Sequence, residues 1–225
     1  PSAVSLDDSV RQIASRLKAA DFSKIVVLVG AGISVSAGLP DIRSGAGLYE
    51  KLRMEGYSCP DVVFTRDYLE ENPAHFYGAM RRLRPKGINP TTAHFFIKLL
   101  HDKGLLRRCY TQNFDSLEHL LGLPDESIVQ AHGSLSEGRC MKCDANVYGE
   151  DLWPDNTNHP TCKTCGGLVR PGIVLLGEQL SLRFRERAED DMAAADLVII
   201  MGTSLTVQPF AGLVHLIHSS CHRLV

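Results

Sequence analysis

Short apolar runs separated by amphipathic stretches set the rhythm of this chain. Ile25–Val29 and Leu197–Met201 are continuous apolar runs, and residues 128–131 and 173–176 are nearly so. Runs of four or five such residues predict strands buried on both faces, as in a parallel sheet. Residues 107–111 predict a fifth, more polar strand. Between them apolar residues recur at helical spacing. Val10, Ile13, Ala14 and Leu17 follow Asp7 and Asp8 and predict an amphipathic opening helix. A second helix over 91–103 is entered through Asn89-Pro90 and left at Gly104, and further helices are expected over 183–195 and 209–218. Strands alternating with helices predict an α/β fold, a doubly wound parallel sheet of Rossmann-like type.

Two stretches break the alternation. Residues 45–88 pass from a glycine-rich loop into a helix expected over 67–83, with no strand pattern, and residues 136–170 are rich in cysteine and turn residues. Both read as insertions that together build a small domain. The predicted division is therefore a discontinuous Rossmann-like domain (1–44, 89–135 and 171–225), a glycine-rich loop with a helical insertion (45–88), and a cysteine-rich part (136–170). The basic run Arg81-Arg82-Leu83-Arg84-Pro85-Lys86 is read as a solvated helix end.

Composition narrows the function classes. The chain has 225 residues, 44% hydrophobic and 22% charged, as in ordinary globular proteins. A net charge of -2 gives no electrostatic reason to expect nucleic-acid binding. No apolar run approaches the ~20 residues that span a bilayer, so no membrane partner is expected. The opening Pro1-Ser2-Ala3-Val4 lacks a signal-peptide pattern. Four of the seven cysteines form two C-x-x-C pairs, Cys140/Cys143 and Cys162/Cys165, separated by 18 residues. That is the spacing of a four-cysteine zinc ribbon, in which protein fills every coordination position and the metal is structural. Such cysteine usage fits a reducing compartment.

The remaining chemistry collects where predicted strands end. After Val29 comes Gly30-Ala31-Gly32-Ile33-Ser34, a loop able to bring backbone N–H groups close to a phosphate. Val35 stands where G-x-G-x-x-G needs its third glycine, so the hydride-transfer fingerprint is incomplete, and Asp41-Ile42-Arg43-Ser44 follows instead. Thr111-Gln112-Asn113-Phe114-Asp115 offers amides and a carboxylate for sugar hydroxyls or a carboxamide; Asn113 or Asp115 could equally cap a helix over 116–121. His132-Gly133 follows another strand and suits a general base. His94, His101 and His119 lie in helical segments and read as structural or solvated. Met201-Gly202-Thr203-Ser204-Leu205 adds a second glycine-hydroxyl turn.

Taken together, these motifs resemble the sirtuins, NAD-dependent protein deacylases. The resemblance rests on G-A-G-x-S through the Asp41–Ser44 segment, T-Q-N-x-D at 111–115, His132-Gly133, the two cysteine pairs, and G-T-S-L at 202–205. Residues 102–106 and 207–210 look most like the class I branch that includes the cytoplasmic sirtuin 2 type. The resemblance implies NAD as a co-substrate and acyl-lysine proteins or peptides as partners. Gly30, Ala31, Gly32, Arg43, Gly202, Thr203 and Ser204 would hold the phosphates and the adenosine side, and Gln112 the nicotinamide ribose. Asn113 and Asp115 would lie beside the carboxamide, with Asp41 and Tyr49 near. His132, assisted by Asn113, would act in catalysis: His132 removes a proton from a ribose hydroxyl as the acyl group leaves lysine for ADP-ribose. Ile42 stands where the family has Phe, Phe114 where it has a smaller residue, and Leu175-Leu176 where an aromatic is expected. These departures leave long-chain deacylation, ADP-ribosyl transfer and a catalytically weak interaction module as alternatives. The family's last adenosine-binding segments fall beyond Val225, and a chain without them is expected to bind NAD weakly.

Overall fold

The computed structural model describes residues 6–45, 47–84 and 87–225; the opening residues, Ala46 and the Pro85-Lys86 pair lie outside the described residues. In chain order the elements are α1 (Leu6–Lys18), β1 (Ile25–Val29), α2 (Gly32–Val35), α3 (Leu48–Met54), α4 (Arg66–Glu71), α5 (Pro73–Arg81), α6 (Thr92–Asp102), β2 (Leu106–Thr111) and α7 (Leu117–Leu120). There follow β3 (Ile128–Gln130), β4 (Gly133–Cys140), β5 (Asn146–Tyr148), α8 (Gly149–Leu152), β6 (Val169–Ile173), α9 (Leu182–Ala194), β7 (Leu197–Met201) and β8 (His222–Leu224).

A five-stranded sheet in the order β3-β2-β1-β7-β8 forms the centre, and every pairing in it is parallel. The alternation of side chains along β1 divides its residues between the two faces. Val26 and Leu28 pack with Phe184, Ala188 and Met192 of α9, while Ile25, Val27 and Val29 pack with Ile13 of α1 and Ile97 and Leu100 of α6. Helices therefore cover both faces, as the sequence pattern predicts.

A second, antiparallel sheet in the order β5-β4-β6 stands apart and carries the four clustered cysteines. Its core is shared with α3, α4 and α5: Leu52, Leu69, Tyr77 and Met80 pack with Leu152, Trp153 and Val169. Polar links reinforce the junction. The Tyr77 hydroxyl donates to the Val169 carbonyl at 3.1 Å, and Arg81 donates to the carbonyls of Pro154, Thr157 and Asn158.

Three expected elements differ. The strand expected at 173–176 in the main sheet is β6, which pairs with β4 in the small sheet. Beyond Ile173 the backbone amides find separate partners: Val174 donates to His132 and Leu176 to Phe64. Here the segment is connection, not ladder, with Leu175 buried and Leu176 exposed. The single helix expected over 67–83 is two, because Pro73 lacks an N–H and drives Asn72 out of helical geometry (φ -132°, ψ 54°). Thr65 caps the first of them, its side chain accepting from the Tyr68 amide. The helix expected over 209–218 tightens to a 3₁₀ segment, Phe210–His215, with Gly212 in its middle.

Candidate functional site

Parallel register aligns the carboxyl ends of the strands. Val29 stands beside Thr111 and Met201, and Thr111 beside Gln130. The four loops that follow these strands therefore meet at one rim, the usual ligand position in open α/β sheets. They enclose a cavity of about 600 Å³.

The two glycine loops approach backbone to backbone. The Gly32 amide donates to the Gly202 carbonyl at 2.8 Å, and a Cβ on Gly32 would lie 2.7 Å from Gly202 Cα. Gly202 itself has φ +61°, and its Cβ would meet the Ile33 nitrogen at 2.4 Å. Gly202→Ala is therefore expected to cost roughly 2–4 kcal/mol through strain and loop separation. Denaturant unfolding of the variant measures this; a change below about 0.5 kcal/mol would contradict the packing argument.

Side chains tie the loops together. Thr203 Oγ1 donates to Gln112 Oε1 at 2.6 Å, linking the ends of β2 and β7. The Asn113 side-chain amide donates to the Gly30 carbonyl at 3.2 Å, and Asn113 is 6% exposed. Ser34 Oγ donates to Asp115 Oδ2 at 2.8 Å, and the Leu117 amide donates to Asp115 Oδ1 at 3.0 Å. Asp115 thus accepts from the first turn of α7, as the capping reading expects, while also lining the cavity. His132 Nδ1 lies 2.9 Å from the Gln112 carbonyl, which can only accept. Nδ1 therefore carries the hydrogen, and Nε2 is left as the basic nitrogen. Burial pushes the His132 pKa below its usual value, only partly opposed by the Gln112 bond, so the ring is neutral at neutral pH.

Eleven of the thirteen residues expected around the cofactor and in catalysis line the cavity: Ala31, Gly32, Asp41, Arg43, Gln112, Asn113, Asp115, His132, Gly202, Thr203 and Ser204. Gly30 and Tyr49 do not. Gly30 is a packing glycine, because a Cβ there would meet the Gly202 carbonyl and Thr203 Cβ, each at 2.8 Å. Tyr49 is buried behind the loop; its hydroxyl donates to Asp61 Oδ1 at 2.5 Å, and the Arg43 guanidinium lies over its ring at 5.3 Å. Asp61 also faces Arg43 at 3.6 Å. Tyr49 thus lies against Arg43, away from the cavity lining. Ile42 and Phe114 line the cavity, whereas Leu175 is buried in the small-sheet core and Leu176 is exposed; neither lines this cavity. Sequence reasoning passed over Ser34, Leu83 and Val207 as lining residues; Ser34 and Val207 lay within motifs already noted, but nothing marked Leu83.

The four cysteine sulfurs lie within 4.8 Å of one another, with Cys140–Cys165 at 3.4 Å and Cys143–Cys162 at 3.7 Å. A tetrahedron of ~2.3 Å Zn–S bonds has edges of about 3.8 Å, so the donor set is compatible with a structural zinc. The backbone amides of Cys165 and Thr164 hold the Cys162 thiol down to about 6, favouring the thiolate a metal needs. Gly167 is required beside them, since its Cβ would sit 3.1 Å from Cys140 Sγ and 3.3 Å from Cys165 Sγ.

A doubly wound sheet whose glycine loops and His132 meet at one rim, joined to a four-cysteine module compatible with zinc, defines an α/β protein with a cavity at its strand ends and a separate small sheet. The Sir2 family model matches residues 30–209. Among curated relatives, the NAD-dependent protein deacetylase hst2 of Schizosaccharomyces pombe is 41% identical over 219 residues, 96% of this chain and 66% of its own length. The NAD-dependent protein deacetylase sirtuin-2 of Danio rerio is 46% identical over 208 residues, 89% of this chain and 54% of its own length. Sirtuin-3 of Mus musculus, also named an NAD-dependent protein deacetylase, is 42% identical over 220 residues, covering 96% and 66%. The chain belongs to the Sir2 family. It spans between about half and two thirds of the length of these relatives.

Proposed function

We propose that this protein is an NAD-dependent protein lysine deacetylase that moves the acyl group from lysine to ADP-ribose and releases nicotinamide. The observation that carries the reading is the cavity in which His132, with its basic Nε2, shares one rim with Asn113, Asp115 and two glycine loops. The curated relatives' names support the same activity. Gly32, Gly202, Thr203 and Ser204 would hold the phosphates through backbone and hydroxyl donors. Gln112, fixed by Thr203, would meet the nicotinamide ribose, and Asp115 and Asn113 the carboxamide. Arg43, braced by Tyr49 and Asp61, would close over the cofactor, with Asp41 close by.

The lysine acyl oxygen would attack the ribose carbon as nicotinamide departs. His132 Nε2 would then take the proton of a ribose hydroxyl, whose oxygen attacks the acyl carbon. Water adding to that carbon would supply the missing oxygen as the C–N bond breaks, leaving free lysine amine and the acyl group on the sugar. NAD is consumed as substrate, so the incomplete hydride-transfer glycine pattern is no defect. The four-cysteine module would hold zinc for structure alone, because its four protein ligands leave no open position. We also propose the division at 1–44, 89–135 and 171–225 against 45–88 and 136–170, and a cytoplasmic location. The second rests on the relatedness to a sirtuin-2 and on seven free cysteines. Among the described residues no helix is long and apolar enough to cross a membrane.

Mass spectrometry of products from NAD and a panel of acyl peptides tests the function. Nicotinamide, free lysine peptide and O-acyl-ADP-ribose are expected in equal amounts. ADP-ribosylated protein without deacylation, or no NAD turnover, would overturn it.

A further inference from the structure

Behind the cavity, α6 and α7 bring together a group of polar side chains that the proposed chemistry does not use. His94 and Glu118 are both fully buried, at 0% exposure, and with Asp115 their ligand atoms lie within 4.8 Å of one another. Both Glu118 oxygens and His94 Nε2 are buried without a hydrogen-bond partner. Orphaned buried polar atoms are costly, and three converging on one point call for an explanation.

The bonding around them narrows the choices. The Thr91 amide donates to His94 Nδ1 at 3.1 Å, so Nδ1 is the acceptor and the neutral ring carries its hydrogen on Nε2. A metal at this point would need the Nε2 lone pair, and the Thr91 bond removes it. Asp115 already accepts from Ser34 Oγ and the Leu117 amide. Neither Glu118 oxygen makes a well-formed hydrogen bond, although its own amide and the Thr111 hydroxyl lie near enough to oppose the effect of burial in part. A negative charge on Asp115 this close disfavours a second one on buried Glu118.

We propose that Glu118 is a positioning residue, a neutral carboxylic acid that, with His94, backs Asp115 as the sole anion of the group and keeps its bonds to Ser34 and Leu117. This rests on the functional reading above, in which Asp115 meets the amide end of NAD. The titratable groups facing Glu118 are His94 from α6, Asp115 from the loop before α7 and Cys109 from β2, with the Thr111 side chain beside them. None offers a fixed positive charge: burial pushes the His94 pKa down and the Cys109 thiol up. Burial first, and then the Asp115 charge, push Glu118 up to about 7. Below that pH Glu118 is neutral and Asp115 is held. Above it a second negative charge stands beside Asp115 and disturbs its orientation.

The test is the pH dependence of NAD binding by titration calorimetry. For the unaltered protein the dissociation constant is expected to rise about tenfold from pH 6 to pH 8, as the competent fraction falls. Glu118→Gln, which mimics the neutral acid, should change less than about twofold over the same range and bind normally at pH 6. Equal pH dependence in both proteins would overturn the proposal. Should Glu118→Gln fail to fold, infrared spectroscopy of the unaltered protein decides: the carbonyl band of a buried protonated acid is expected at pH 6 and should vanish by pH 9, and its absence at pH 6 overturns the proposal. NAD bound by neither protein at any pH overturns the functional reading instead, while the infrared band, which needs no ligand, still decides the state of Glu118.

Discussion

His132→Ala is expected to lower nicotinamide release from NAD and an acetyl-lysine peptide by a factor of about 10² to 10⁴, the usual contribution of a positioned general base. The argument starts from two contacts. The Gln112 carbonyl can only accept, so the hydrogen of the neutral ring sits on Nδ1 and Nε2 is free to take a proton. Burial then lowers the pKa of His132, so the ring is already neutral at the pH of the reaction. The base form is present above that pKa, so turnover should be level at neutral pH and fall only below the ordinary histidine value of about 6.5, as the ring protonates. Alanine at 132 removes both the base and the acidic limb. NAD affinity should change by no more than a few-fold, because the phosphate loops lie after β1 and β7 and do not depend on the imidazole. Steady-state kinetics across pH, with calorimetry for NAD, separates the two. Retained full turnover in the variant would remove His132 from the mechanism.

The rim chemistry was largely legible because each loop follows a strand whose sequence is unmistakable. Val26 to Val29 are apolar on both faces, and glycine or polar residues begin the moment burial ends. Such a change marks a strand's carboxyl end without any structure in hand. The 173–176 run shows where that logic stops. Four apolar residues in a row report burial, and burial alone does not separate a sheet ladder from a connection under a second domain. The true strand, β6, carries Pro171 and Gly172, residues that weaken strand patterns but fit the bulged pairing with β4. Pro73 was visible in the sequence, and its power to break the helix was given too little weight.

Tyr49 and the His94–Glu118 group were beyond reach for a different reason. Tyr49 sits in the loop expected to touch the cofactor, but its ring turns inward to Phe64 and its hydroxyl to Asp61. Spacing along a loop does not reveal which side chains turn in. His94 reads as one histidine among several in helical segments, and nothing in the sequence singles out Glu118. Only the packing of α6 against α7 and β2 makes both of them interior.

Loss of the metal is expected to unfold the small domain rather than loosen it. The reason is that its core is built from both inserted stretches around the cysteine cluster. Cys140 and Cys162 are themselves core members, in one cluster with Tyr77 and Met80 of α5, Leu152 of α8 and Trp153 directly after it. The three strands β4, β5 and β6 bring few side chains to that core, and β5 has only three residues. Without a metal, four thiols that near one another must stay protonated or repel, and the turns that carry them lose their common anchor. Structural zinc supplies about 10–16 kcal/mol of apparent binding energy in small zinc-finger peptides, most of which appears as folding energy. Even half of that, lost from a domain of this size, lowers a melting midpoint by more than about 10 °C. Cys162→Ser should therefore lose its metal and melt at least that much earlier. The five-stranded sheet has two core clusters of its own and should unfold in a separate, later transition. Activity should vanish with the first transition, because Val174 and Leu176, which follow β6, are bonded to His132 and Phe64. Metal analysis by mass spectrometry, circular dichroism and calorimetry of the unaltered and variant proteins measures each step. One zinc per chain in the unaltered protein, none in the variant and two resolved transitions are expected. A Cys162→Ser protein that melts as the unaltered one does would show that the cysteine cluster does not hold the domain together.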